Sequence, residues 1–291
     1  MAKDTDYADL LEALTLQHQA RLAGALDRLE EEITQLMSTA PLIDGKLYDT
    51  TWAIAARAEL KTAIEATYLV EVQKIIQSYQ SVTASTYAML KSYNALPTLD
   101  PVIIRQLQTL SFKGFEAIAN EYLDILSTEV YQSALTNRAF SESLKTIKQT
   151  INGVYIQSDN VEAQKLVSIA KNGTAAESAA AVEKLQTIYA RDRVGNNLKR
   201  YSNAYAQDSL MQFDASVNVA TGRQNGATKW KYFGGTSETS RQFCRDHAGK
   251  IYTDEQIAQI WAGSWKGKSS SDAMIARGGY NCEHHWRPIY D

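Results

Sequence analysis

Apolar residues recur at spacings of three and four along the first forty positions of this 291-residue chain. An α-helix has 3.6 residues per turn, so side chains at this spacing lie on one helix face. The stripe therefore predicts a long amphipathic helix that buries one face against other helices. Its members are Leu11, Leu14, His18, Leu22, Leu26, Leu29, Ile33 and Leu36.

The same period continues through most of the chain up to residue 221, with two interruptions. Segments 38–50 and 94–101 contain the prolines and glycine that end helices, and helix-forming sequence fills most of 102–221. A second long helix is predicted from about Thr51 to Leu90. Its stripe is Ile54, Ile64, Tyr68, Val72, Ile75, Tyr79 and Val82.

The composition changes near residue 222. Nine of the fifteen glycines and four of the five tryptophans fall in the last 71 residues, where short aromatic runs alternate with turns. Thr253 and Gln256 stand at the spacing of a capping box and predict one short helix. The sequence thus predicts a mainly α protein: an elongated helical body over 1–221, followed by a small α+β module over 222–291, called the C-terminal module below.

Charge and hydropathy exclude several functional classes of protein. The net charge of −3 creates no overall field that attracts nucleic acid or an anionic membrane, and no run of 18 apolar residues predicts a membrane span. The acidic N-terminus does not resemble a secretory signal, so we expect the protein to be made and kept in a cytoplasm. Two cysteines are too few for a disulfide framework.

Both cysteines and three of the four histidines lie within 42 residues, between Cys244 and His285. The pairs Cys244/His247 and Cys282/His285 have the two-residue gap with which one turn presents two ligands to zinc, and His284 is a competing ligand. A small module with few aliphatic residues would also gain stability from a structural zinc ion. Buried cysteines and histidines can equally be packed core residues, so both interpretations stay open.

The His284-His285 pair also resembles the core of HNH endonucleases, in which one histidine activates water and a following helix supplies another metal ligand. Only six residues follow His285 here. We therefore expect no catalytic residue and a protein that is not an enzyme.

Three segments in order carry a more specific resemblance. Residues 240–244 (SRQFC), 249–253 (GKIYT) and 278–282 (GGYNC) follow an aromatic-glycine run, and together they resemble the C-terminal module of the phage Mu F-like minor head proteins. The resemblance covers about residues 228–291. The chain departs from the family at Glu238, where aspartate is usual, and at Glu283, where arginine is frequent.

The resemblance implies a structural protein of the phage virion. Such minor head proteins associate with the portal protein or the major capsid protein during head assembly in the host cytoplasm, and they remain in the virion head in several copies. Contact with packaged DNA, or ejection with it, is also implied. The alternatives are a metal-dependent nucleic-acid enzyme and a prophage toxin of phage origin.

Overall fold

The computed structural model describes residues 2–91, 99–155, 193–194, 197–238 and 240–290, together with short stretches between 165 and 184. Helices dominate, and the predicted mainly α fold with a small α+β part at the C-terminus is confirmed. The helices are α1 (Ala2–Ser38), α2 (Thr50–Ile64), α3 (Val70–Lys91), α4 (Pro101–Leu135), α5 (Phe140–Asn152), α6 (Leu198–Gln224), α7 (Gln242–His247), α8 (Asp254–Trp261) and α9 (Ala273–Ala276).

The first predicted interruption is confirmed. Helix α1 ends at Ser38, and a hairpin of β1 (Leu42–Ile43) and β2 (Lys46–Leu47) precedes α2. Most of the second interruption, 94–101, lies outside the described residues, and α4 begins at Pro101. Two further short strands, β3 (Val154–Tyr155) and β4 (Arg193–Val194), pair with each other.

The predicted second helix consists of α2 and α3, joined by a π-helical turn at Glu65–Leu69. Its apolar stripe is buried from Ile64 onward. Ile54 is an exception, since it is 65% exposed. The buried face of α2 lies at Ala53, Ala56 and Leu60, and Ile54 follows Ala53 by one residue, which turns it about 100° away.

Backbone contacts divide the chain into two compact units. One contains Met1–Ala25, Ile64–Asn120 and Ser202–Asp291, and the other contains Leu26–Ala63 and Glu121–Tyr201. The boundaries of these units differ from the predicted division at residue 222. That division coincides instead with a change in secondary structure, because α6 ends at Gln224 and strands follow. As a statement about domains, that division stays a prediction.

The C-terminal module is built on a three-stranded antiparallel sheet. Strand β5 (Lys229–Phe233) is central and pairs with β6 (Ile251–Thr253) on one side and β7 (His285–Ile289) on the other. Strand alternation buries Trp230 and Tyr232 of β5, and Trp286 of β7 lies directly opposite Tyr232. The predicted capping box at the start of α8 is confirmed by reciprocal hydrogen bonds between Thr253 and Gln256.

Within the residues that the structure describes, no helix combines the length and apolarity that crossing a membrane requires.

Candidate metal centre

Three potential metal ligands meet in the core of the C-terminal module. Cys244 comes from α7, Cys282 follows the turn after α9, and His284 immediately precedes β7. All three are buried. Cys244 Sγ lies 3.8 Å from Cys282 Sγ, which lies 3.7 Å from His284 Nδ1. The cluster can hold a metal ion.

These distances agree with the edges of a metal tetrahedron. Metal–sulfur bonds of about 2.3 Å and metal–nitrogen bonds of about 2.0–2.1 Å at tetrahedral angles place two sulfurs about 3.8 Å apart, and a sulfur and a nitrogen about 3.5 Å apart. The two observed separations of 3.8 and 3.7 Å therefore match such edges, and all three ligand atoms lie within 4.8 Å of one another.

The turn that delivers Cys282 depends on Gly278 and Gly279. A Cβ atom on Gly278 would lie 2.6 Å from Cys244 Sγ, 2.9 Å from Cys282 Sγ and 2.8 Å from the Tyr232 hydroxyl. Gly279 has a φ of +112°, and a Cβ there would lie 2.1 Å from the Gly267 carbonyl oxygen. Only glycine at position 278 leaves the space beside the two sulfurs free. The close approach of this turn to its neighbours therefore requires glycine at both positions.

Tyr232 closes the interior side of the cluster. Its hydroxyl lies 3.5 Å from each of the two sulfurs, and its ring stacks on His284 at 5.0 Å with 8° between the planes. Burial raises the pKa of Tyr232 far above its usual range, so the phenol stays protonated. The hydroxyl can therefore donate a hydrogen bond to a thiolate at either position.

The two thiols are electrostatically unequal. The hydrogen bond between them lowers the pKa of Cys282 and raises that of Cys244, so the pair first loses one proton and shares the other. Arg277 is completely buried, and its Nε donates to the Cys282 carbonyl oxygen at 3.0 Å. A guanidinium at this place favours negative charge on the sulfurs, which metal binding requires.

Helix α6 fixes the segment that carries Cys282 and His284. Asp208 accepts a hydrogen bond from the Asn281 backbone N–H at 2.8 Å, and Asn218 Nδ2 donates to the Trp286 carbonyl oxygen at 2.5 Å. Asp208 also lies 3.7 Å from Arg277 Nη2. Burial raises the pKa of Asp208.

His285, one of the predicted metal ligands, lies outside this cluster. Its Nδ1 is 2.9 Å from Asp214 Oδ2 on α6. The reason is strand alternation: successive side chains of β7 point to opposite faces, so His284 and Trp286 share the face of Tyr232. His284, predicted as the competing ligand, is the histidine beside the cysteines.

His247, another predicted metal ligand, also lies outside the cluster. It is the last residue of α7, and its Nδ1 lies 2.6 Å from the Tyr252 hydroxyl. Its ring packs against Phe243 at 4.5 Å between centroids. Positions three residues apart lie on the same side of a helix, which is why the spacing favoured His247. The two side chains nevertheless reach different neighbours: the Cys244 sulfur points into the core of the module, and His247 contacts the aromatic residues around α7.

Asp214 is the centre of a separate buried polar network. Tyr7 and Thr86 both donate to Asp214 Oδ1, with a distance of 3.2 Å for the threonine, and His285 approaches the other oxygen. Burial alone would raise the pKa of Asp214, but the adjacent His285 and the charge of Arg287 bring it to about 2. Burial lowers the pKa of His285, so its imidazole is neutral beside the carboxylate.

A cavity of about 900 Å³ opens onto the cluster, and all three potential ligands line it. Its wall also carries three cationic side chains and two carboxylates. These are Arg241, Arg245, Lys266, Glu238 and Glu283.

Sequence reasoning missed Tyr232, Asp208, Asp214 and Arg277. The available signal for the histidine that lies beside the cysteines was the period of two in His284-x-Trp286, which extended chain places on one face. The polar residues of α6 gave a weaker signal, since aspartates in an otherwise apolar helix face indicate buried partners. Arg277 has a positive φ of 62°, which its sequence context does not indicate.

No protein-family model, no curated protein and no solved structure matches this chain.

Proposed function

We propose that Cys244, Cys282 and His284 bind a structural zinc ion that stabilises the C-terminal module. The buried cluster at tetrahedral distances is the observation that supports this proposal. Two thiolates and one imidazole are soft and borderline ligands, which favour zinc over magnesium or calcium. Tyr232 and Arg277 would supply the outer hydrogen bonds and positive charge that such ligands need.

Elemental analysis of protein purified without a histidine tag tests the zinc. We expect about one equivalent per chain, and we expect Cys244→Ser to remove it. The matched control is His247→Ala, which should retain the metal because His247 contacts Tyr252 instead. Well under half an equivalent in the unmodified protein would contradict the proposal.

We propose further that the protein is a non-enzymatic minor head protein of a phage virion, which binds the portal protein or the major capsid protein. The resemblance of residues 228–291 to the Mu F-like module supports this function, together with the mainly helical chain that precedes the module. Amphipathic helices offer extended surfaces for partner proteins. A metal-stabilised module would provide a compact contact element.

The test uses particles of the phage or prophage whose genome encodes this chain. Quantitative mass spectrometry of purified virions should find the chain in a few copies per particle. Tagged chain should also recover the portal protein or the major capsid protein from assembling heads. A chain that is abundant in infected cells but absent from virions and heads would refute the proposal.

A metal-dependent nucleic-acid enzyme is the second candidate, and the cavity is the observation that favours it. Catalytic zinc sites use three protein ligands and leave a fourth position to water, whereas structural sites are closed. Incubation of the zinc-loaded protein with plasmid and single-stranded DNA distinguishes the two functions. Cleavage that His284→Ala abolishes and His285→Ala retains would favour the enzyme over the structural protein.

A further inference from the structure

The protein supplies three ligands on one side of the candidate metal centre and a cavity on the other. Tyr232 is fully buried and does not line the cavity, whereas Cys244, Cys282 and His284 all do. A tetrahedral ion bound by these three residues would therefore direct its remaining position toward the cavity. No fourth cysteine, histidine or carboxylate belongs to this cluster among the described residues.

The charge of the cavity selects the kind of ligand that fits there. A divalent ion bound by two thiolates and a neutral imidazole has no net charge. The cavity wall adds three cations, Arg241, Arg245 and Lys266, against two carboxylates, Glu238 and Glu283. One positive charge remains, which a single anion would neutralise.

Two of the cations are already engaged in the loops around the cavity. Arg241 donates to the Tyr280 carbonyl oxygen, and Arg245 donates to the Ser240 carbonyl oxygen and to Gln242 Oε1. Lys266 makes no such contact among the described residues, and its flexible side chain can turn toward a bound ligand.

We propose that the metal ion keeps an exchangeable fourth position that binds an anionic oxygen ligand from the cavity, with Lys266 as its counter-ion. A carboxylate and a phosphate share this chemistry. The ligand forms one metal–oxygen bond and displaces a water molecule, so no redox or covalent step is involved. The inference rests on the proposed metal centre and extends it from a closed structural site to a binding site.

Cobalt(II) is the probe, because its absorption spectrum reports both thiolate ligation and changes at a fourth position. Full-length reduced protein is loaded with cobalt in a non-coordinating buffer and titrated with acetate and, separately, with inorganic phosphate. We expect a thiolate-to-cobalt band, and a saturable change in the ligand-field bands with at least one anion. The tighter of the two anions identifies a carboxylate or a phosphate source.

The variants test the metal centre and the anion-binding position separately. Cys244→Ser should abolish the thiolate band. Lys266→Ala should leave that band intact and weaken anion binding about two- to fivefold, as expected for loss of one exposed charge pair. Lys250→Ala is the matched control, since Lys250 is exposed in the same module and does not line the cavity.

The outcomes are distinguishable. A thiolate band that neither anion perturbs would overturn the fourth-position inference and leave the structural zinc centre standing. The absence of any thiolate band in reduced protein would refute the metal centre, and with it the inference. Equal anion affinity in Lys266→Ala and Lys250→Ala would refute the role of Lys266.

Discussion

Replacement of Asp214 by asparagine should disrupt a buried polar contact between β7 and α6. The side chain is fully buried, and its two oxygens face Tyr7 and Thr86 on one side and His285 on the other. An amide presents N–H groups in place of one oxygen. In either orientation of the asparagine amide, its N–H groups will face the hydroxyl donors of Tyr7 and Thr86 or the imidazole of His285.

The expected loss of stability can be worked out in two ways that describe the same contacts. Removing the charged acceptor of the buried Tyr7 and Thr86 hydroxyls costs about 1.5–3 kcal/mol, the range for hydrogen bonds to a charged group. The fall of the Asp214 pKa from 3.8 to about 2 on folding corresponds to roughly 2–3 kcal/mol of stability contributed by the ionised form. Asparagine loses this contribution and also leaves a buried donor unpaired, which adds about 1–3 kcal/mol.

The pH dependence has a definite sign. Because the folded pKa lies below the unfolded value, the Asp214 contribution is fully present above pH about 5 and is lost as pH falls through about 2. Asp214→Asn should therefore be less stable than the unmodified protein at neutral pH. The difference in stability between the two proteins should become smaller as the pH is lowered.

Urea unfolding followed by tryptophan fluorescence is the appropriate assay, since four of the five tryptophans lie at or beyond Trp230. Both proteins are measured with chelator, so that acid release of a metal does not contribute to the comparison. Asp246→Asn, at an exposed position of α7, is the matched control and should change stability by less than about 0.5 kcal/mol. A loss below about 1 kcal/mol for Asp214→Asn, or an unchanged difference between pH 5 and 2, would refute this account of the network.

Three further predictions concern the metal centre. His284→Ala should lose zinc while His285→Ala retains it and only loses stability; zinc stoichiometry decides, and the reverse result would assign the ligand to His285. Gly278→Ala should destabilise the module by about 1–3 kcal/mol and reduce its zinc content, because the new Cβ would lie 2.6 Å from Cys244 Sγ. Thermal unfolding measures the stability and elemental analysis measures the zinc, and full zinc loading of the variant would contradict the prediction. Tyr232→Phe should weaken zinc binding about 10- to 100-fold by removing the hydroxyl beside both sulfurs; competition with a chromophoric chelator measures this, and unchanged affinity would show that the hydroxyl plays no part.

Local patterns in the sequence determined the helical part of the fold. The stripe on α1 is buried at Leu11, Leu22, Leu26, Leu29 and Ile33, because a period near 3.6 can satisfy burial only on a helix. The boundaries at Ser38 and Thr50 and the capping box of α8 were also predictable, since helix ends depend on neighbours within a few residues.

The sequence also indicated that the two cysteines and a nearby histidine would meet, but it did not determine which histidine. The two-residue gap between Cys282 and His285 favoured His285, because that gap applies to a turn, whereas the chain here runs into β7. Alternation along β7 turns His285 toward Asp214, and His284, just before the strand, lies beside Cys282. The choice therefore depended on the pairing of β7 with β5.

Only the tertiary structure decided the partners of these residues. Asp214 contacts Tyr7, which is 207 residues away in sequence, and Tyr232 contacts Cys282, which is 50 residues away. The cavity beside the candidate metal centre depends on loops that bring Arg241 and Lys266 together. Sequence periodicity records which face of an element is buried, whereas the residue that covers that face is set by the packing of elements distant in the chain.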